Sequence, residues 1–392
     1  MKIREIRAAT VDIAPRPRTS PRVPQQPVDG FISPMARYPE FRRADWQSHW
    51  KRTACVVTAD DGTWGLGLTI HGGLVERVIN DHFAPVLVGQ DCVATEKLWD
   101  LMRRISAPYG STGLASYAIS ALDAALWDLK GKLLGRPVYE LLGGPQKERI
   151  PSYASNTDIS YGTENSLAWF LELGFRAVKV FLRHGPDSGL EGLRRDEELV
   201  ARAREQVGPD VELMVDAWMS LDVEYAVRLA EALKPYRVKW LEDVLLPEDM
   251  DGYARLRQRL PGATLATGEH WYTIHPFAQA ASQGLVDILQ PDALWCGGVT
   301  ASVRICHLAE AYGLAVIGHA GMNYPYGQHL ALAMPAIPMG ERSEGVAPPG
   351  VPLEEMIALP GTVPIKNGYV RPTEAPGFGI EVTKEWLEER VK

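Results

Sequence analysis

The chain has 392 residues, 46% hydrophobic and 23% charged, with a net charge of −8. That length suggests two domains of roughly 100–200 residues each. The acidic balance argues against a nucleic-acid partner, which needs a positive surface, and no apolar run reaches the roughly 18 residues a membrane span requires.

Small anionic substrates stay open, because a local cation outweighs a distant net charge. Cys55, Cys92, Cys296 and Cys306 lack metal or redox spacing and read as reduced thiols. The first residues, MKIREIRAATVDI, alternate like a strand and lack the apolar block of a signal peptide, so a cytoplasmic location is expected.

Residues 1–145 predict an α+β capping domain. It opens with a strand over Lys2–Ile13. A Pro/Arg-rich stretch at 15–50 follows, with little periodicity but with Phe31, Met35, Tyr38, Phe41, Trp46 and Trp50. Long loops of this kind are active-site lids or disordered segments, and the large side chains favour a lid. A hairpin is predicted from Thr53–Ala59 and Thr63–Ile70 around Asp60-Asp61-Gly62. The segment LASYAISALDAALWDLKGKLLG has three- and four-residue apolar spacing and is stopped by Gly135-Arg136-Pro137.

Residues 146–360 alternate strand and helix. Apolar runs lie at Arg176–Leu182, Val211–Asp216, Val238–Glu242, Ala263–Glu269, Val286–Asp292 and Ala315–His319. Ile150–Ala154 supplies a first strand and Met339–Ser343 an eighth. Eight such units close a (β/α)₈ barrel, a modified TIM barrel of α/β class. An open doubly wound sheet is the alternative, but the Gly-rich phosphate turn it wants after its first strand is missing. Residues 361–392 are expected to return to the capping domain, chiefly through Gly368–Val382.

Three acids end consecutive predicted strands: Asp216 in LMVDAW, Glu242 in KWLED and Glu269 in ATGEH. Each is about one β/α unit from the next, so the three carboxylates share one rim of the barrel, where active sites are built. Converging hard oxygen ligands call for a divalent cation, and Mg²⁺ suits such a set. Taken singly, each acid reads more readily as a helix N-cap or a surface carboxylate; it is the set of three at consecutive strand ends that points to a metal. Asp292 ends VDILQPD and His319 ends LAVIGHA one unit later. Such a pair makes a general base, because the carboxylate fixes the imidazole tautomer and raises its basicity.

On these residues the chain resembles the enolase superfamily, mandelate racemase subgroup, over essentially its whole length. The three acids match that subgroup's metal ligands, one Mg²⁺ per subunit, and Asp292 and His319 match its Asp–His dyad. Glu341 in PMGERSEG matches the acid of the last strand, with Glu344 the competing assignment. Within the subgroup the resemblance is to the L-rhamnonate dehydratases, through SPMARYPEF, KVFLRHGP, DAWMSLDVEYAVRLA, TGEH, QPDALWCGGVT and PGFGIEV. Many racemases of the subgroup end strand two with Lys-x-Lys. Here the place reads Lys179-Val180-Phe181, so the base on the opposite face is missing.

The resemblance implies dehydration of an acid sugar to a 2-keto-3-deoxy acid. His319 takes the proton alpha to the carboxylate, the metal stabilises the resulting enediolate, and His319 returns the proton to the departing 3-hydroxyl. Lys179 and Glu341 hold the carboxylate end, while Arg183, His184 and His270 lie past strand ends within reach of sugar hydroxyls. In the lid, the dehydratases carry a histidine before Pro-Met and an arginine after it. Here Gly30 stands at the histidine position before Pro34-Met35, and Ala44-Asp45-Trp46-Gln47 occupies the arginine region, with Arg42, Arg43 and Arg52 nearby. Trp46 is therefore a candidate substrate contact, and weak activity on L-rhamnonate is expected. A racemase or cycloisomerase on the same scaffold and a non-catalytic binding barrel are the rival readings. A homo-oligomer is expected.

Overall fold

The computed structural model describes every residue except 16, 17, 29, 39, 42–50 and 347. Strands β1 (Ile3–Val11), β2 (Arg52–Ala59) and β3 (Trp64–Thr69) form an antiparallel sheet in that order. A helical run over 72–87 follows, then helices α1 (Thr95–Ser106) and α2 (Leu114–Leu134). Helix α2 is apolar on nearly every side because it is covered twice, by the sheet and by the barrel. Gly65 and Gly67, two apart on β3, present one face to it. A Cβ on either would lie 2.1 Å from the Ala125 carbonyl oxygen or 1.9 Å from that of Ala121. Glycine there lets helix backbone lie directly on strand backbone.

The second body holds eight parallel strands: β4 (Ile150–Ser155), β5 (Ala177–Phe181), β6 (Glu212–Asp216), β7 (Leu241–Glu242), β8 (Leu265–Thr267), β9 (Ile288–Leu289), β10 (Ala315–Val316) and β11 (Gly340–Arg342). They pair in barrel order, and β11 returns to pair with β4. Among the described residues β10 and β11 share no ladder. Instead the Val316 N–H donates to the Ala336 carbonyl at 2.9 Å. Ladders are shorter than the predicted strands: Val238–Glu242 yields Leu241–Glu242, and Val286–Asp292 yields Ile288–Leu289. Strands in a barrel are tilted and staggered, so only the middle of each meets both neighbours.

The barrel is filled by Tyr153, Ala177, Met214, Trp240, Ala266, Ile288 and Ile317, one from each of seven strand segments. The two domains lock where α2 meets the helix Gly298–Ala311. There Asp123 accepts from the Thr300 N–H (2.9 Å) and hydroxyl (2.6 Å), and the Trp99 indole donates to the Gly297 carbonyl at 2.7 Å. The C-terminal segment packs back on the first domain. The Phe378 N–H donates to Asp128 of α2 at 2.9 Å, and the Lys392 N–H to the Thr10 carbonyl at 3.0 Å. Among the described residues no helix is long and apolar enough to cross a membrane.

Candidate active site

Side chains alternate along a strand, so a residue two or four beyond an interior one faces the barrel axis again, nearer the mouth. Lys179 follows Ala177, Asp216 follows Met214, Glu242 follows Trp240, Asp292 follows Ile288 and His319 follows Ile317 in this phase. Glu341 stands beside Tyr153 in the β11–β4 register. Glu269 is out of phase with Ala266. Between them Gly268 has φ 133, and the chain turns there to direct Glu269 into the mouth. Non-glycine residues with positive φ also gather at this rim: Trp218, Met219, Asp243, Thr273 and Ala320. Strained backbone of this kind concentrates at functional sites.

The Lys179 ammonium is the centre of the acid cluster. It lies 2.9 Å from Asp216 Oδ2, 2.9 Å from Glu341 Oε1 and in contact with Glu242 Oε1, all essentially solvent-free. Glu242 Oε2 accepts from the Trp240 indole at 2.7 Å, Asp216 Oδ1 from the Trp218 N–H at 2.9 Å, and Glu341 Oε2 from the Ala320 N–H at 2.7 Å. Burial pushes the carboxyls of Asp216, Glu242 and Glu269 up; Lys179 pulls them down, and the net shift is upward. For Lys179 itself burial opposes the charge, but the acids outweigh it and hold the ammonium protonated. Glu341 moves the other way. Burial raises it, while Lys179, His319 and the Ala320 N–H bring it below the usual carboxylate range.

Beside this cluster, His319 Nδ1 is 2.8 Å from Asp292 Oδ2, and the other Asp292 oxygen accepts from the Leu294 N–H at 2.7 Å. His319 Nε2 faces Glu269 Oε2 at 3.6 Å. Burial lowers the His319 pKa, but Glu269 and the Asp292 hydrogen bond outweigh it and bring it to about 10. A divalent cation on Glu269 would cancel the larger of these and return the imidazole toward neutrality, where a base works best.

Three carboxylates (Asp216, Glu242, Glu341) thus converge on one ammonium, and a fourth, Glu269, faces His319 beside them. Two further buried polar atoms, Asp243 Oδ2 and His270 Nδ1, have no hydrogen-bond partner. This excess of hard, partly unpaired donors fits a divalent cation. The expected ligands Asp216 and Glu242 share Lys179, whereas the group whose ligand atoms lie within 4.8 Å of one another is Asp243, Glu269 and His270. Asp243 escapes the sequence reading because the residue after an inward Glu242 belongs to the opposite face. There its Oδ1 accepts from the Thr267 hydroxyl at 2.6 Å. Only its φ of 49 marks the turn that brings it near Glu269.

The remaining expected residues divide. His270 is at the site, with Nδ1 3.4 Å from Glu269 Oε1; the Trp295 ring lies 5.7 Å from its ring and 4.7 Å from that of His319. Arg183 and His184 are instead tied to the outer helices α3 (Thr163–Glu172) and α4 (Gly189–Val207). Arg183 donates to the Thr163 hydroxyl at 3.2 Å, and His184 Nδ1 lies 3.0 Å from Asp196. Both have partners away from the acid cluster, as loop-anchoring residues do. Trp46, Arg42 and Arg43 lie outside the described residues. Glu341 and Glu344 separate cleanly: Glu341 joins Lys179, while Glu344 pairs with Arg52 and accepts from the Tyr324 hydroxyl at 2.8 Å.

Of the 15–50 stretch expected to be a lid, Phe31 is buried at the barrel mouth. Its ring lies 4.2 Å from that of Phe181 and 5.6 Å from that of Trp218. The Ile32 N–H donates to the Leu182 carbonyl at 3.0 Å. A cavity of about 290 Å³ opens between the domains, lined by His319, Asp292 and Trp295 together with Arg52, Tyr324 and Glu344. A larger one, about 390 Å³, lies at the opposite end of the barrel around Arg237 and Arg259, away from every acid of the cluster.

Comparison with known proteins agrees with this geometry. Residues 164–386 match the family described as enolase C-terminal domain-like, and residues 47–143 match the mandelate racemase / muconate lactonizing enzyme N-terminal domain. The chain is 40% identical to an L-rhamnonate dehydratase of Saccharopolyspora erythraea over 98% of this chain and 97% of that one. Its fold superposes on L-rhamnonate dehydratase from Gibberella zeae, solved also as a complex with Mg. The TM-score is 0.87 at 31% identity, covering 100% of this chain and 96% of that one. It also superposes on the 3,6-anhydro-D-galactonate cycloisomerase of Zobellia galactanivorans, with a TM-score of 0.78 at 28% identity and full coverage of both chains. With both domains matched and the rim of acids in place, the chain belongs to the enolase superfamily, in its mandelate racemase / muconate lactonizing branch.

Proposed function

We propose that this hydro-lyase removes water from an aldonate, giving a 2-keto-3-deoxy acid, with the Asp292–His319 pair as its acid–base group. Asp216, Glu242 and Glu269 would hold the cation, Mg²⁺ by the chemistry of an all-oxygen set, with Asp243 and His270 close enough to assist. When bound, the ion neutralises the acids and withdraws charge from the substrate carboxylate, which acidifies the adjacent C–H.

The chain's own groups do the rest. Lys179 and Glu341 set the charge at the carboxylate end. Asp292 keeps the proton on His319 Nδ1, leaving Nε2 to accept the alpha proton. The imidazolium then returns that proton to the 3-hydroxyl as the C3–O bond breaks. Water leaves, and the enol tautomerises to the ketone.

The observation that carries dehydration over racemisation is Phe181. It occupies the place of the second lysine and is packed against Phe31 and Trp218. Among the described residues this apolar cluster offers no base opposite His319, so proton removal and water loss share one face. A panel of aldonates with Mg²⁺, assayed for 2-keto acid, tests the reading. Release of 2-keto-3-deoxy acid is expected; epimerisation at carbon 2 without loss of water would overturn it.

A further inference from the structure

The cavity that His319 lines also carries an ion pair that the reaction as derived does not use. Arg52, at the first position of β2, pairs with Glu344, just past β11. The second Glu344 oxygen accepts from the Tyr324 hydroxyl at 2.8 Å. The turn that bears Glu344 is fixed as well. The Asn323 side-chain oxygen accepts from the Ser343 and Glu344 N–H groups at 3.0 and 3.1 Å, and Thr157 donates to the Ser343 carbonyl at 2.9 Å. Arg52 and Glu344 keep only 24% and 19% of their side-chain exposure, and both line the cavity that His319 lines.

An ion pair this far removed from water is weak support for a fold, because desolvation offsets its attraction. As a recognition element it has a definite chemistry. Guanidinium donors beside a carboxylate acceptor match a hydroxyl, which donates and accepts at once. A second carboxylate would be repelled by Glu344, and a methyl group would leave the pair unmatched.

Resting on the aldonate reading above, we propose that Arg52, Glu344 and Tyr324 form the subsite for the substrate's distal hydroxyls. The subsite selects acid sugars with a hydroxyl on the terminal carbon over their 6-deoxy counterparts. It joins the capping domain to the exit of the last barrel strand, so tail recognition and the acid–base group share one cavity.

The test uses pairs of hexonates differing only in the 6-hydroxyl: L-mannonate against L-rhamnonate, and L-galactonate against L-fuconate. Binding is measured by calorimetry in Mg²⁺ on His319→Asn, and turnover on the otherwise intact enzyme. In at least one pair the hydroxylated acid should bind about tenfold tighter or more, since a site built to bond a hydroxyl rejects the analogue lacking it. Arg52→Met and the shape-preserving Glu344→Gln should each bring the ratio to within about threefold, chiefly by weakening the hydroxylated acid. A ratio under threefold in both pairs, failure of all four acids to bind, or equal losses for both members of a pair in the variants would overturn the subsite. Discrimination in binding without turnover of any acid would leave the subsite standing and refute the dehydration reading instead.

Discussion

Asp292→Asn separates orientation of the base from its presence. Asp292 uses both oxygens: one accepts from the Leu294 N–H at 2.7 Å, the other meets His319 Nδ1 at 2.8 Å. An asparagine that keeps the Leu294 bond turns its NH₂ toward Nδ1, forcing the proton onto Nε2, the atom that must accept. The reverse orientation keeps the working tautomer but sets the Leu294 N–H against the NH₂. That leaves a buried donor unmet at a cost of about 1–3 kcal/mol, or roughly 5- to 150-fold in population. Loss of the charge-assisted bond to the imidazolium removes about 1 kcal/mol more. Together these predict a fall in kcat of roughly 30- to 10³-fold, with KM and melting temperature little changed. Steady-state kinetics on the best aldonate, with a thermal melt as control, measures this. A kcat within threefold of the parent enzyme would refute the tautomer argument.

Other outcomes follow from the same contacts. Replacing Asp216, Glu242 or Glu269 by Ala, or adding excess chelator, should abolish turnover while circular dichroism stays native; full activity in chelator would remove the metal from the account. Gly67→Ala puts a Cβ 1.9 Å from the Ala121 carbonyl oxygen. It should cost about 3 kcal/mol or more, read as a lowered urea midpoint, because backbone on both sides must move. Asp123 is buried, which pushes its pKa up to about 7. The folded state therefore holds this proton more tightly than the unfolded chain, and the contribution to stability is full below the unfolded value and lost as pH rises through about 7. The stability difference between the parent and Asp123→Asn should fall between about pH 4 and 7 by up to about 1.4 kcal/mol per pH unit. A flat difference across that window would show that the carboxyl ionises freely.

The rim was legible because strand-end residues recur once per β/α unit, and Asp216, Glu242, Asp292 and His319 keep the two-residue phase of the barrel interior. Other features depend on backbone geometry that residue identity does not reveal. Glu269 reaches the mouth through a phase break at Gly268, and Asp243 comes near it through a positive φ at a non-glycine residue. Glu341 and Glu344 are three apart in a short strand and its exit, so only the ladder with β4 tells which faces Lys179. Arg183 and His184 carry suitable chemistry at a strand end, yet a single buried acid on the next helix, Asp196, engages the backbone of both. The contact of Phe31 with Phe181 and Trp218 joins distant segments and has no local signature.

The most direct test of the account is exchange of the substrate's alpha proton with D₂O, followed by proton NMR in Mg²⁺ for the parent enzyme and His319→Asn. The parent should form 2-keto-3-deoxy acid with deuterium entering at carbon 3, while His319→Asn should neither form product nor exchange the alpha proton. Continued exchange by His319→Asn would assign the base elsewhere and contradict the mechanism at its centre.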